Sequence, residues 1–270
     1  MDHHPGQRQA AGAGRGRQGR HQAPRGRPRE ELSVAAAIVD VWLATPSAAL
    51  AEAGLALLSA EERARDALFQ HQGAREQFLV GRWLVRTVVG ARVGVAAAAL
   101  PLVEVERGAL AVPATHNPAD VRFNLSHTDG LVAVAVATGR EVGVDVEDGE
   151  RRGRTVELAD RFFAPSEIAA LRGLPEGAQR DRFFRLWTLK ESYIKARGQG
   201  LAIPLAGFAF DLDAGASAIG LSTDPGVDPD PSRWRFRTLR PTPRHQLAVA
   251  LACGARAPLH TRVRWAPREV

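Results

Sequence analysis

Three short segments between residues 121 and 147 constrain the fold of this chain more than any other feature. Val121-Arg122-Phe123-Asn124-Leu125-Ser126-His127, the apolar run Leu131 to Ala137, and Val142-Gly143-Val144-Asp145-Val146-Glu147 each read as a strand. Thr128-Asp129-Gly130 and Thr138-Gly139-Arg140-Glu141 between them are turn signals. Directions up, down, up bring Ser126 and His127 to the same side as Asp145 and Glu147. If the three are sheet neighbours, those ends lie two strand spacings apart, roughly 10 Å. That span suits the gripping of one ligand.

The flanking sequence supplies helices and further strands. A strand is expected at Ile38–Leu43, then a helix from Ser59 to about His71, opened by the capping-box pattern Ser59-Ala60-Glu61-Glu62. A second helix is expected over about Ala74 to Val89, with Phe78, Leu79, Leu84, Val85 and Val88 at helical spacing and Gly90 as its end. Beyond the three strands, Arg161-Phe162-Phe163-Ala164-Pro165-Ser166-Glu167 opens a helix to about Leu171 with proline in its first turn. A longer helix covers about Ala178 to Arg197 and ends at Gly198-Gln199-Gly200. Phe208–Leu212, Trp234–Thr238 and His245–Ala252 read as β-rich. The order strand, helices, strands occurs twice, which predicts an α+β fold of two similar α/β halves, residues 33–138 and 139–270.

Composition narrows the class. At 270 residues, 45% hydrophobic and 24% charged, the chain is an ordinary globular sequence. No apolar run reaches the roughly 18–20 residues of a membrane helix. A single cysteine, Cys253, excludes an intrachain disulfide and a cysteine zinc cluster, and reads as a small buried hydrophobe. The first residues lack a secretory apolar core, so the chain reads as cytoplasmic. Residues 1–32 carry seven arginines against Asp2, Glu30 and Glu31, with no aromatic residue, and read as a disordered tail. A solvated extension, or a start assigned too far upstream, is preferred there over an arginine arm for nucleic acid. Of 36 basic side chains only Lys190 and Lys195 are lysines, and they stand five residues apart. Lysine offers a compact ammonium able to give up a proton, which arginine does not.

Asp145 and Glu147, at i and i+2 of a strand, project to one face while Val144 and Val146 point to the core. Paired carboxylates raise one another's pKa unless a cation lies between them. Hard oxygen ligands at this spacing suit Mg²⁺; a solvent-facing acidic edge is the alternative. Trp187, Glu191 and Lys195 lie at i, i+4 and i+8, on one helix face. Taken alone, that face is equally a Glu191–Lys195 ion pair beside a tryptophan core anchor.

Phe123-Asn124-Leu125-Ser126-His127, Gly143-Val144-Asp145-Val146-Glu147 and Trp187-Thr188-Leu189-Lys190-Glu191-Ser192-Tyr193-Ile194-Lys195 resemble the three ordered signatures of the 4′-phosphopantetheinyl transferase superfamily. They are most similar to the larger single-chain type that activates polyketide and nonribosomal peptide synthetases. Arg161-Phe162-Phe163 and Gly198-Gln199-Gly200-Leu201 also fit, and the resemblance covers roughly Ser59 to Pro204. It implies a monomeric pseudo-dimer, each half a small, mainly antiparallel sheet with helices packed on it, and coenzyme A in the cleft between halves. The implied reaction moves phosphopantetheine from coenzyme A to a serine of an apo acyl- or peptidyl-carrier protein and releases 3′,5′-ADP.

The resemblance also implies roles. Asp145, Glu147 and Glu191 match the Mg²⁺ ligands, and Glu191, or secondarily Glu147, would take the serine proton directly or through a water. Lys195 would stabilise charge on the phosphates, and Lys190 would be structural or touch the cofactor from the side. Ser126, His127 and Asp145 fall on the coenzyme A side, with Arg65, and more weakly Arg75, near the adenosine 3′-phosphate. Two departures stand out. The loop Arg107-Gly108-Ala109-Leu110-Ala111-Val112-Pro113 lacks the lysine of many relatives, its place to be taken by Arg107 or by backbone groups of the loop alone, and Glu62 stands where some relatives have a second lysine. The rival readings are a Mg²⁺-dependent nuclease or nucleotidyl enzyme and a non-catalytic binding module. Neither a membrane nor nucleic acid is expected as a partner.

Overall fold

A computed structural model describes residues 36–105, 108–153, 155–213, 219–254 and 257–267. The tail expected over residues 1–32, and Arg107, lie outside the described residues. Strand β1 (Ala37–Ala44) buries Val39, Val41 and Leu43. Ser47 caps α1 (Ala48–Leu57) by accepting from the Leu50 amide. The expected capping box opens α2 (Ala60–Asp66): Ser59 Oγ accepts from the Glu62 amide at 3.2 Å, and the Ser59 amide donates to Glu62 Oε2 at 3.0 Å. This helix stops at Asp66, short of His71. Helix α3 (Gln72–Val93) runs straight through Gly90, the residue expected to end it. The returning chain uses that glycine instead, since a Cβ there would lie 2.7 Å from the Val95 carbonyl oxygen. Gly94, with φ of 74°, ends the helix in the left-handed conformation.

The small hairpin of β2 (Val103–Glu104) and β3 (Leu110–Ala111) leads to the three expected strands, β4 (Val121–Thr128), β5 (Leu131–Thr138) and β6 (Val142–Asp148). One-turn α4 (Ala159–Phe162), α5 (Pro165–Arg172) and the long α6 (Glu176–Arg197) follow, the last ended by Gly198 at φ 64°. Strands β7 (Phe208–Asp211), β8 (Gly220–Thr223), β9 (Trp234–Thr242), β10 (His245–Ala252) and β11 (Leu259–Trp265) complete the chain. Among the described residues no helix is long and apolar enough to cross a membrane.

The fold is α+β, with two halves of similar plan. Sheet one has the order β11-β1-β5-β4, and sheet two β6-β10-β9. Their facing sides meet in one core, in which Val39, Val41, Ala133 and Ala135 pack with Val144, Val146, Leu247 and Val249; Cys253 is buried there as expected. Each half carries a 22-residue helix on its outer side: α3 over sheet one, around Val85 and Val134, and α6 over sheet two, around Leu189 and Ala248. Strand β5 is apolar at nearly every position because both its faces are covered.

The sheet expectation is overturned as well. The strands β4, β5 and β6 do not form a three-stranded sheet. Strand β5 already has β1 on one edge and β4 on the other, so β6 has no edge to join and pairs with β10 instead. The chain also returns from the C-terminal side, where β11 pairs in parallel with β1.

Side chains of β4 then meet β6 directly. Asn124 Oδ1, Ser126 Oγ and Thr128 Oγ1 accept from the amides of Val144 (3.0 Å), Val146 (3.3 Å) and Asp148 (3.2 Å). Residues at i, i+2 and i+4 thus satisfy alternate amides of a strand whose other edge pairs with β10. The expected gap of two strand spacings becomes direct contact.

Candidate active site

Gly143 lets α6 come down on β6. A Cβ at this position would lie 2.0 Å from the Ser192 carbonyl oxygen and 2.6 Å from the Ala196 amide nitrogen. That close approach brings the Glu191–Lys195 turn against the face bearing Asp145 and Glu147. Lys195 Nζ lies 2.6 Å from Asp145 Oδ1 and 3.0 Å from Ser126 Oγ, and Ser126 Oγ in turn donates to Asp145 Oδ1 at 2.9 Å. The i,i+4 ion pair with Glu191 is not made: Lys195 points to the strands.

The acidic groups share one neighbourhood. Glu147 is pushed up to about 7, first by burial, then by the Asp145 charge, against the pull of Arg151 and Lys195; Glu191 adds to the rise. Burial, then Asp145, also raises Glu191, opposed by Lys195. Arg151 Nη1 holds Glu147 at 3.3 and 3.1 Å. Asp145 Oδ2 is buried without a hydrogen-bond partner, and among the described residues Glu191 has none either. Those free oxygens and the mutual repulsion are the chemistry of a donor set short of a cation. The three carboxylates feel one another's charge without forming a ready-made cage: among the described residues no three acidic, His or Cys side chains stand close enough together to hold a metal.

Trp187, the third residue of that helix face, is an anchor. It packs against Phe162, Phe163 and Phe183. Lys190 is structural. Its Nζ is fully buried, 2.7 Å from Glu167 Oε2, and donates to the carbonyls of Leu205 (2.8 Å) and Phe208 (2.6 Å). Glu167 also accepts from the amides of Ala164 and Phe210. Contact of Lys190 with a cofactor is thereby excluded.

Two adjoining clefts share Phe123, Asn124 and Leu110, and of Asp145, Glu147, Glu191, Lys190 and Lys195 only Lys195 lines either of them. One, of about 310 Å³, is lined by Lys195, Asn124, Phe123, Leu110 and Glu141. The other, of about 210 Å³, is lined by Arg65, Phe78, Arg82, His127 and the same Phe123, Asn124 and Leu110. His127 hydrogen-bonds Gln77 Oε1 at 3.0 Å, and its ring stays open to solvent. The cleft wall and then the Lys195 charge nevertheless depress its pKa, with Arg82 acting in the same sense and Asp145 against. Without an anion beside it the imidazole is neutral near pH 7. Ser126 is buried and bound to Asp145 and Lys195, so it positions those groups from beneath. Arg65 reaches the cleft, 3.3 Å from Glu104. Arg75 does not line it: its guanidinium is held by both oxygens of Asp66 at 2.8 and 2.7 Å.

Arg82 is the cleft residue that sequence reading missed. Glu62, noted only as a departure, is a buried hub 2.9 Å from Arg82 and 2.6 Å from Arg86, and Arg82 lies over the Phe78 ring. The signal was available: two arginines four residues apart within the apolar stretch Phe78 to Val89 require a buried carboxylate.

Relatives decide the class. Residues 141–252 match the family model described as the 4′-phosphopantetheinyl transferase superfamily. A 4′-phosphopantetheinyl transferase of Bacillus subtilis is 34% identical over 158 residues, 58% of this chain and 68% of the relative. The chain belongs to the 4′-phosphopantetheinyl transferase superfamily. The transferase HetI of Nostoc is 36% identical over 54% of this chain and 62% of its own. A phosphopantetheinyl transferase of Thraustochytrium is 33% identical over 74% and 71%. This chain is therefore a 4′-phosphopantetheinyl transferase, and the matched family segment carries Asp145, Glu147, Glu191 and Lys195.

Proposed function

We propose that this transferase moves 4′-phosphopantetheine from coenzyme A to a serine hydroxyl of an apo acyl- or peptidyl-carrier protein and releases 3′,5′-ADP. Carrier domains of polyketide and nonribosomal peptide synthetases are the acceptors to which the sequence resemblance points. The observation that carries the reading is the Lys195 ammonium, set between Asp145 and Ser126 beside the interhalf cleft, with one Asp145 oxygen left free.

In the transfer, the serine oxygen forms a bond to the β-phosphorus as the pyrophosphate P–O bond breaks, and the electron pair leaves with 3′,5′-ADP. Asp145, Glu147 and Glu191, which form no ready-made cage, would have to draw closer together to hold Mg²⁺, which when bound would supply charge neutralisation for the pyrophosphate. Glu191, the acid without a partner, accepts the serine proton directly or through a water, and its raised pKa suits that task. Glu147 is tied to Arg151 and serves less well. Lys195 donates hydrogen bonds to the phosphate on which charge grows. His127, Arg65 and Arg82 line the cleft for the anionic part of coenzyme A, where an adjacent phosphate favours the charged imidazole. One chain would supply the whole set, as expected of a monomeric pseudo-dimer.

The test is intact mass spectrometry of an apo carrier protein incubated with the enzyme, coenzyme A and Mg²⁺. The carrier gains one phosphopantetheinyl group, and a chelator or Glu191→Gln abolishes the gain. An unchanged mass across fatty-acid, polyketide and peptide carriers, with folded enzyme, rejects the reading.

A further inference from the structure

A second cationic site lies on the outer side of sheet one. The carboxylate of Asp40 is buried on β1 and is surrounded by three guanidiniums. Arg92, from the last turn of α3, places Nη2 3.1 Å from Asp40 Oδ2. Arg262 brings Nη2 to Oδ2 and Nε to Oδ1, both at 2.8 Å, and Arg264 brings Nη1 to Oδ1 at 2.5 Å. Three positive charges against one leave a surplus of two. Among the described residues no other carboxylate pairs with any of the three. The negative end of the α3 dipole offsets only part of that surplus.

The cluster flanks an open groove of about 420 Å³ between sheet one and α3. Its floor is Asp40, Trp42 and Val136, its helical wall includes Val88, Ala91 and Arg92, and Arg264 closes one side. Arg264 lies over the Trp42 ring, 5.3 Å from its centroid, which pre-sets the plane of the guanidinium. Arg92 and Arg264 each use one nitrogen on Asp40, and all three arginine side chains remain roughly half exposed, so donors face outward. Arginine forks match the oxygens of phosphate in charge and spacing. A solvated surface cluster needs no aromatic floor. Here the cationic rim and the apolar walls belong to one groove.

We infer that this groove binds a small phosphate monoester with an apolar or aromatic body, its dianion on Arg92 and Arg264 and its body against Trp42, Val88 and Val136. Two negative charges meet the surplus of two. This inference is independent of the transfer chemistry: none of these residues lines the clefts beside Lys195.

Calorimetric titration of the full chain with phenyl phosphate tests it at low salt. Saturable one-to-one binding is expected, weaker for inorganic phosphate, which lacks the body, and for benzoate, which lacks the second charge. Arg264→Ala should weaken it by about tenfold or more, with carrier modification unchanged, while Lys195→Ala leaves it intact. Should Arg264→Ala fail to fold, Arg92→Gln and Trp42→Phe make the same comparison. Absence of saturable binding overturns the inference. So does binding lost in Lys195→Ala and kept in Arg264→Ala, which places the ligand in the catalytic cleft. Inorganic phosphate binding as tightly as phenyl phosphate overturns the assignment of the apolar walls.

Discussion

Lys195 Nζ stands 2.6 Å from Asp145 Oδ1, so one ammonium joins the last turn of α6 to the first acid of the D-x-E strand. The same nitrogen reaches Ser126 on β4, in the other half of the molecule. The contact ties both halves to one point beside the cleft. Replacing Lys195 by Ala is expected to lower kcat by about 10² or more, since the lost donor acts where transition-state charge develops. Lys195→Arg should restore little, because a planar fork does not fit between Asp145 and Ser126. Steady-state kinetics on an apo carrier protein checks both, and near-wild-type turnover of Lys195→Ala would move the role elsewhere.

Lys190 behaves differently, although it is five residues away. Lys190→Met strands Glu167 in the core and should cost about 3–5 kcal/mol, the usual penalty for breaking a buried pair from one side. Adding Glu167→Gln to the same chain should recover part of the loss. Urea denaturation of the single and double variants measures this, and a loss confined to coenzyme A affinity would contradict the structural role.

Gly143 controls how closely α6 approaches β6. Gly143→Ala places a methyl group in the space of the Ser192 carbonyl and the Ala196 amide, backbone atoms that cannot rotate away. Stability should fall by about 1–3 kcal/mol or more. Turnover should fall further than coenzyme A affinity, as the carboxylates of β6 move relative to Glu191. An unchanged thermal midpoint and kcat would show that the close approach is not needed.

Acid should unfold the protein partly through Asp228. Burial alone would raise this carboxyl, but hydrogen bonds from Tyr193 and Trp234 and the charge of Arg197 outweigh it and hold the pKa below the ordinary 3.8. A depressed folded pKa contributes stability that is complete above the unfolded value and lost as pH falls through the folded one. Asp228→Asn should therefore be less stable than the parent at neutral pH, and the two should converge as the pH falls below 3.8. Chemical denaturation across the acid range reads the difference. A constant gap at all pH values would assign the effect to packing.

Much of this molecule was legible before any coordinates. The alternation in Val142 to Glu147 put Asp145 and Glu147 on one face and Val144 and Val146 on the other, and the structure keeps that division. The helix ending at Gly198 and the capping box at Ser59 were equally readable, because each depends on residues within a turn or two of one another. Other features were out of reach. Gly90 looks like a helix end to local rules, and only the carbonyl of Val95 folding back over it explains why the helix continues.

The sequence by itself determined most of the strands and helices, though neither α1 nor β11, and which face of β6 is apolar, since periodicity and capping act over a few residues. The tertiary structure alone decided which partners those residues have. It paired β6 with β10 rather than β5, because β5 had no edge left, and it sent Lys195 to Asp145 while burying Lys190 against Glu167. Two lysines on one helix differ in fate because a turn of about 100° per residue aims them at different layers, and no local rule states what lies in a layer.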